Sequence, residues 1–340
     1  MVDKKLILAV AGSGKTTNLI DKLNIAERFY LVTYTVSNAS LIRKRIIKRF
    51  GYLPNNIQVF TYFNFLYSFC IKPFLFYKYN LKGVYLDNSP EFTNYLKNSD
   101  LKKYISKSGY AYHNRLAKLI EFENLIEDVK LRLEKFCDHF YYDEVQDLGG
   151  HDFNFIMELS KSKLNFLFVG DFYQLTYVTS FDRNVNTNLH KDYTKYLKRY
   201  EDYNITIDLD TLSNSWRCSP TICNYITKNL NIQIGSHRTD QTVIELIEDK
   251  KVLTEKLKDD AIIKLVYINA SKRDFNAKNW GECKGEDDFI DTCIILNKTT
   301  YDLYKKGKLT ELANRTKNKL YVALSRTRGN CYLVNEKLLE

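Results

Sequence analysis

The sequence predicts an α/β protein with parallel sheets, divided into two domains over residues 1–204 and 205–340. Three observations carry this. The chain has 340 residues, a length that suits two or three domains. Short apolar runs of strand length alternate with helical stretches, the pattern of parallel strands joined by helical crossovers. A strand-like run over residues 5–10 also passes through Ala9-Val10-Ala11-Gly12-Ser13-Gly14-Lys15-Thr16-Thr17 into a helical stretch, giving the order strand, glycine-rich turn, helix.

That turn is the first chemical centre. Gly12 and Gly14 allow backbone angles that a side chain forbids, so successive N–H groups can curl round a phosphate. The helix start adds its dipole and unpaired N–H groups. Lys15 would reach the outer phosphates, and the Thr16 hydroxyl would sit on a magnesium ion. Gly12, Ser13, Gly14, Lys15, Thr16 and Thr17 are therefore the candidate contacts for ATP and Mg2+. The strict pattern has glycine at its first position, where this chain has Ala9.

Composition narrows the partners. Hydrophobic residues are 44% of the chain, enough for real cores. The net charge of +10 favours a polyanionic partner, nucleic acid first. Seven cysteines are scattered without a Cys-x-x-Cys pair, which indicates neither a zinc site nor a disulfide framework. The opening residues run straight into the first strand, and no apolar run approaches membrane-spanning length. The expectation is a soluble, cytoplasmic chain with no membrane partner.

Along the chain, residues 28–35 read as a second strand and residues 40–50 as a basic helix with Arg43, Lys44, Arg45, Lys48 and Arg49. Residues 57–62 read as a third strand. The aromatic stretch 63–74 is expected in the core. Residues 75–135 lack strand-like alternation and show helical spacing, so they are read as a helical insertion, a cap or a clamp for nucleic acid or a partner. Residues 164–169 form another strand, and residues 183–203 a basic linker with some helix. In the second half, a helix is expected over residues 221–230, strands over 243–247, 262–268, 292–296 and 331–334, and a helix opening at Lys319 that carries Arg326 and Arg328.

The second chemical centre is Asp143-Glu144, at the end of the apolar run Phe140-Tyr141-Tyr142. Adjacent carboxylates at a strand end are costly unless they hold a metal or a water. Beside a phosphate loop, Asp143 would hold magnesium and Glu144 would orient and deprotonate the attacking water. Gln174, in Gly170-Asp171-Phe172-Tyr173-Gln174, is placed to sense the terminal phosphate.

The segments AGSGKTT, DEVQD, GDFYQ, NSWRCSP, ECKGEDD and YVALSRTR, in this order across nearly the whole chain, resemble the UvrD/Rep-like branch of superfamily 1 helicases. The resemblance implies two RecA-like domains that sandwich ATP and ratchet along single-stranded DNA as they close. It makes Glu144, Gln174, Arg217 and Arg326 the catalytic set, the two arginines touching the terminal phosphate. It puts Trp216 on the adenine and Asp287 near the ribose. Tyr34, Thr61 and Tyr62 lie in segments that face the DNA strand.

Departures qualify what the resemblance implies. The family's adenine-reading glutamine lies upstream of the phosphate loop, which here begins at residue 9, so weak base selectivity is expected. Thr179 replaces an aromatic residue that usually stacks on a base, with Phe181 as a substitute. Asn279 and Gly281 stand where a Thr-x-His element precedes Lys284-Gly285. Only about sixty residues separate NSWRCSP from that Lys-Gly pair, so the family's large second-domain insertion is missing.

Two functions follow as expectations. The first is an ATP-dependent helicase or translocase on single-stranded DNA, with RNA as an alternative strand. The second is a nucleotide-gated ATPase subunit of a larger nuclease, repair or antiviral defence complex, with no unwinding of its own. A phosphate-transferring kinase is disfavoured, because two distant arginine motifs fit a two-domain motor better.

Overall fold

The structure is a computed structural model that describes residues 2–176 and 185–339. It divides into two compact units. The first is built on Thr16–Gly170 with the opening residues and a later segment up to Ile207. The second is built on the chain from Asp208 onward, with Leu8–Lys15 and the stretch that begins at Asp171.

The first unit's main sheet has six strands. In chain order they are β1 (Lys4–Leu8), β2 (Phe29–Thr33), β3 (Ile57–Thr61), β6 (His139–Asp143), β7 (Asn165–Gly170) and β8 (Thr206–Asp208). Their order in the sheet is β3-β2-β6-β7-β1-β8, and β2–β3, β2–β6 and β6–β7 pair in parallel. Every residue of β2 is buried, as expected of a strand covered on both faces. Phe29, Phe140, Phe166 and Phe168 are fully or almost fully buried on neighbouring strands and form the centre of this core.

The basic helix spans Val36–Phe50. The Thr35 hydroxyl caps its start by accepting from the Asn38 N–H, and Gly51 ends it with φ 81°, the left-handed turn that glycine permits. The aromatic stretch folds into a π-helix, Phe65–Ile71, with Phe65, Leu66, Phe69, Cys70 and Ile71 buried. It is core, as expected.

The insertion departs from the all-helical expectation. It contains helices Leu116–Phe122 and Ile126–Phe136, but also a parallel pair of three-residue strands, β4 (Gly83–Tyr85) and β5 (Tyr110–Tyr112). Three residues are too few to show a period-two pattern, and the two strands lie far apart in sequence, so no local signal announced the pairing.

The second unit's sheet is wholly parallel. Its strands are β11 (Ile244–Ile247), β12 (Ile262–Val266), β13 (Ala277–Asn279), β14 (Asp291–Leu296) and β15 (Cys331–Asn335), in the order β11-β15-β14-β12-β13. A two-residue parallel pair, β9 (Asn214–Ser215) with β10 (Gly235–Ser236), stands apart. Helix Pro220–Leu230 is capped by the Ser219 hydroxyl and opens on Pro220, a favoured start.

The last α-helix corrects an expectation. It spans Asn314–Leu324, so it starts five residues before Lys319 and ends before Arg326 and Arg328. Successive tight turns close the helix, with the Arg326 N–H on the Ala323 carbonyl and the Thr327 N–H on the Leu324 carbonyl. Arg326 therefore sits in a turn before β15.

All seven cysteines are buried and free. Among the described residues, no helix is long and apolar enough to cross a membrane.

Candidate functional site

The phosphate loop has the backbone its glycines predict. Gly12 has φ 71° and Gly14 φ 89°, values costly for a residue with a Cβ. A Cβ on Gly12 would also lie 2.7 Å from Arg217 Cβ and 2.7 Å from Ser215 Oγ, so this position needs glycine twice over. Ser13 closes the turn by donating its hydroxyl to the Val10 carbonyl at 2.8 Å. The following helix starts at Lys15 and runs to Asp21.

Within the first unit, Thr16 Oγ1 donates to Asp143 Oδ2 at 3.2 Å. A hydroxyl and a carboxylate so placed are two oxygen ligands of the kind magnesium takes beside phosphate oxygens and water. Among the described residues there is no group of three or more His, Cys, Asp or Glu side chains that could hold a metal ion without such help. The hydroxyl of Thr16 and the carboxylate of Asp143 are donors that fit magnesium bound with a nucleotide.

Glu144 follows at the end of β6 with φ 60°. A non-glycine residue in the left-handed region costs of order 1–3 kcal/mol and commonly marks a functional position. Its carboxylate accepts from Gln146 Nε2, and its N–H donates to Asp143 Oδ1 at 3.0 Å. Gln146 is fully buried, so it holds the Glu144 carboxylate in one place. The sequence reading missed Gln146, although it stands two residues after Glu144 in the same motif.

Gly170, at the end of β7, makes room for Gln146. A Cβ there would collide with Gln146 Oε1 and lie 3.0 Å from Val145 Cγ1. Gly170→Ala is expected to displace Gln146 and cost about 1–3 kcal/mol of stability. If Glu144 is the base that the resemblance implies, its displacement should also lower turnover by roughly tenfold. Thermal unfolding and steady-state hydrolysis on one preparation check both effects.

The second unit gathers the other predicted groups. Arg326 is 2% exposed. It donates to the Glu286 carbonyl at 2.9 Å and reaches Gln174 Oε1 at 3.4 Å. Arg217 is buried, donates to the Ser325 carbonyl at 3.0 Å and is paired with Asp287. Asp287 lies 3.7 Å from Arg326 as well. Its carboxylate thus serves both arginines, where the sequence reading placed it near a ribose. The Nε atoms of Arg217 and Arg326 are buried without a hydrogen-bond partner among the described residues. Burial first, and then the charge of Arg217, hold the Arg326 guanidinium below its ordinary pKa. Two buried guanidiniums sharing one carboxylate fit a further anion such as a phosphate.

Trp216 is 65% exposed and stacks on His237 with centroids 4.0 Å apart. Its backbone N–H donates to the Gly12 carbonyl at 2.9 Å, which holds it against the loop, and its ring lies near Gly14. A stacking platform does not read base edges. If Trp216 stacks on the base, as the resemblance implies, GTP should be hydrolysed within about tenfold of ATP, a gap of roughly 1.4 kcal/mol. Competition kinetics check this, and a thousandfold preference for ATP would show that another group reads the adenine edge.

Of the three strand-facing candidates, Tyr34 is exposed, and Thr61 and Tyr62 are buried. Thr61 uses its hydroxyl to accept from the Asn64 N–H. Tyr62 is 3% exposed and donates to Asp152 Oδ1 at 3.0 Å. Tyr62 is thus corrected to a core residue, because its ring packs beneath the surface and its hydroxyl has a partner. Thr179 and Phe181 lie outside the described residues. A further group escaped the sequence reading: Arg45 of the basic helix donates to Thr17 Oγ1 at 3.2 Å.

No family model matches the chain. The Gabija protein GajB of Bacillus cereus is 27% identical over 267 residues, which is 73% of this chain and 51% of that protein. Among solved structures, a complex of Arterivirus nonstructural protein 10 (helicase) with DNA superposes with a TM-score of 0.52 at 13% identity, over 97% of this chain and 60% of that one. A crystal structure of the same helicase gives 0.51 at 13% identity, over 97% and 59%. The chain thus spans about half the length of GajB and about three-fifths of the arterivirus protein. At these identities the likeness establishes the fold alone: an α/β chain with parallel sheets, consistent with two RecA-like domains.

Proposed function

We propose that the chain is an ATP-dependent motor on single-stranded DNA, of the UvrD/Rep-like kind, that hydrolyses ATP with magnesium. The observation that carries this is the pairing of Thr16 with Asp143 beside a strained, Gln146-held Glu144. That is the equipment for binding a metal nucleotide and activating a water. The buried pair Arg217 and Arg326 supplies charge for the transferring phosphate. The nucleotide brings the electrophilic phosphorus. The chain's residues would position it, orient one attacking water and take that water's proton on the Glu144 carboxylate, with the nucleoside diphosphate as the leaving group. The DNA in the arterivirus complex and the +10 charge support a nucleic-acid partner.

Single strands are expected to bind through phosphate contacts, with affinity falling by a log–log slope of about −0.7 per contact as salt rises. Titration of labelled oligonucleotides at several salt concentrations reads that slope. A slope near zero would remove the electrostatic basis of the proposal.

One observation favours a second reading. From Pro220 to Gly285 the chain is spent on helix Pro220–Leu230, helix Lys250–Lys258 and strands β10 to β13, so the second unit has no inserted domain there to engage a duplex. The chain would then be the nucleotide-gated subunit of a nuclease, repair or defence complex. A strand-displacement assay with and without candidate partner proteins separates the two. Unwinding by the chain alone supports the motor, and unwinding or nuclease activity only with a partner supports the subunit.

A further inference from the structure

One buried hydrogen-bond chain in the second unit is not explained by the groups named above. The Ala11 N–H, in the phosphate loop, donates to the Tyr321 hydroxyl at 2.9 Å. That hydroxyl donates to Asp171 Oδ2 at 2.8 Å. The same carboxylate oxygen accepts from Gln174 Nε2 at 3.0 Å, and Gln174 Oε1 faces Arg326 Nη2 at 3.4 Å. Ala11 and Tyr321 are fully buried, and Asp171, Gln174 and Arg326 are 3% exposed or less.

We propose that the Tyr321 hydroxyl is a positioning group that ties the phosphate loop to Gln174 and Arg326 through Asp171. This rests on the hydrolytic reading above and deepens it. A hydroxyl both accepts and donates, so it alone in this chain can join a backbone N–H to a carboxylate. Phenylalanine at 321 would fill the same space and do neither. Burial and the neighbouring Asp171 carboxylate raise the Tyr321 hydroxyl well above its ordinary pKa, so it stays protonated and able to donate. Asp171 in turn fixes Gln174 by its Nε2, leaving Oε1 turned to Arg326. A shift of the loop as it closes on phosphate would therefore reach Gln174 through fixed hydrogen bonds. Tyr321 itself need not touch the nucleotide.

The experiment uses the full chain and four proteins: wild type, Tyr321→Phe, Gln174→Ala and the double variant. Hydrolysis of ATP, nucleotide affinity and thermal unfolding are measured on each. Tyr321→Phe is expected to lower kcat by roughly tenfold, the kinetic equivalent of one lost hydrogen bond to a charged group. KM should stay within about threefold. The double variant should be no slower than Gln174→Ala, because Tyr321 acts through Gln174. A purely structural role would instead give multiplied losses. Asp171→Asn, which keeps the shape and removes the charge, should reproduce the kcat loss and serves if Tyr321→Phe unfolds. Wild-type kcat in Tyr321→Phe, or full multiplication of the two losses, overturns the relay and leaves the hydrolytic reading standing. A wild-type chain with no turnover overturns that reading and the relay with it.

Discussion

Arg326→Ala is expected to lower the hydrolysis rate by about 10³–10⁵-fold, the range found when a charge-stabilising arginine is removed from phosphoryl transfer. The reason is its burial. Arg326 is 2% exposed, with its Nε unpartnered among the described residues, so a charge developing on a bound phosphate would meet a guanidinium little screened by water. Arg326→Lys should recover little, because an ammonium cannot bond the Glu286 carbonyl, Gln174 and a phosphate together in a planar fork. Nucleotide affinity should fall far less than turnover, since the charge matters most in the transition state. Single-turnover kinetics with saturating ATP read the effect, and a rate within tenfold of wild type would remove Arg326 from the chemistry.

Glu144→Gln is expected to retain nucleotide binding and lose turnover by about 10²–10⁴-fold, the usual contribution of a general base. On the proposed reading magnesium would keep Thr16 and Asp143, so binding should survive, while the attacking water would lose its proton acceptor. The substitution also turns the contact with Gln146 into one between two amides, which still has a donor and an acceptor, so the fold should hold. Lys15→Ala differs in kind: it should weaken binding as well as turnover, because it removes a charge the ground state already uses. Equilibrium binding and steady-state rates on the two variants separate the roles, and wild-type turnover in Glu144→Gln would take Glu144 out of the mechanism.

Much of this was legible in the sequence because its cause is local. β2, β7 and β14 are short apolar runs, buried along most or all of their length. The phosphate loop is recognisable because two glycines, a lysine and a threonine are each needed at fixed spacing. What was missed depends on distant contacts. The pairing of β4 with β5 joins residues about 27 apart through three-residue strands. Arg45 and Tyr321 look like ordinary polar residues until the fold places them on Thr17 and Ala11, whereas Gln146 was missed although its partner Glu144 is only two residues away. Arg326 was found by its motif but put on a helix, because the apolar spacing of Leu320 to Leu324 continues into it without a glycine or proline to mark the end. Tyr62 was read as strand-facing from its segment alone, and only burial shows that its side chain points inward.

The central claim is that hydrolysis in this chain answers to single-stranded nucleic acid. The most direct test is the steady-state ATPase rate of the wild-type chain, measured with and without a single-stranded DNA oligonucleotide at low salt, with Arg326→Ala as the blank. The account predicts a rate that rises with added single strand, saturates at the concentration where the strand binds, and falls back as salt displaces it. A strand that binds without changing the rate, or a rate indifferent to every strand, would contradict it.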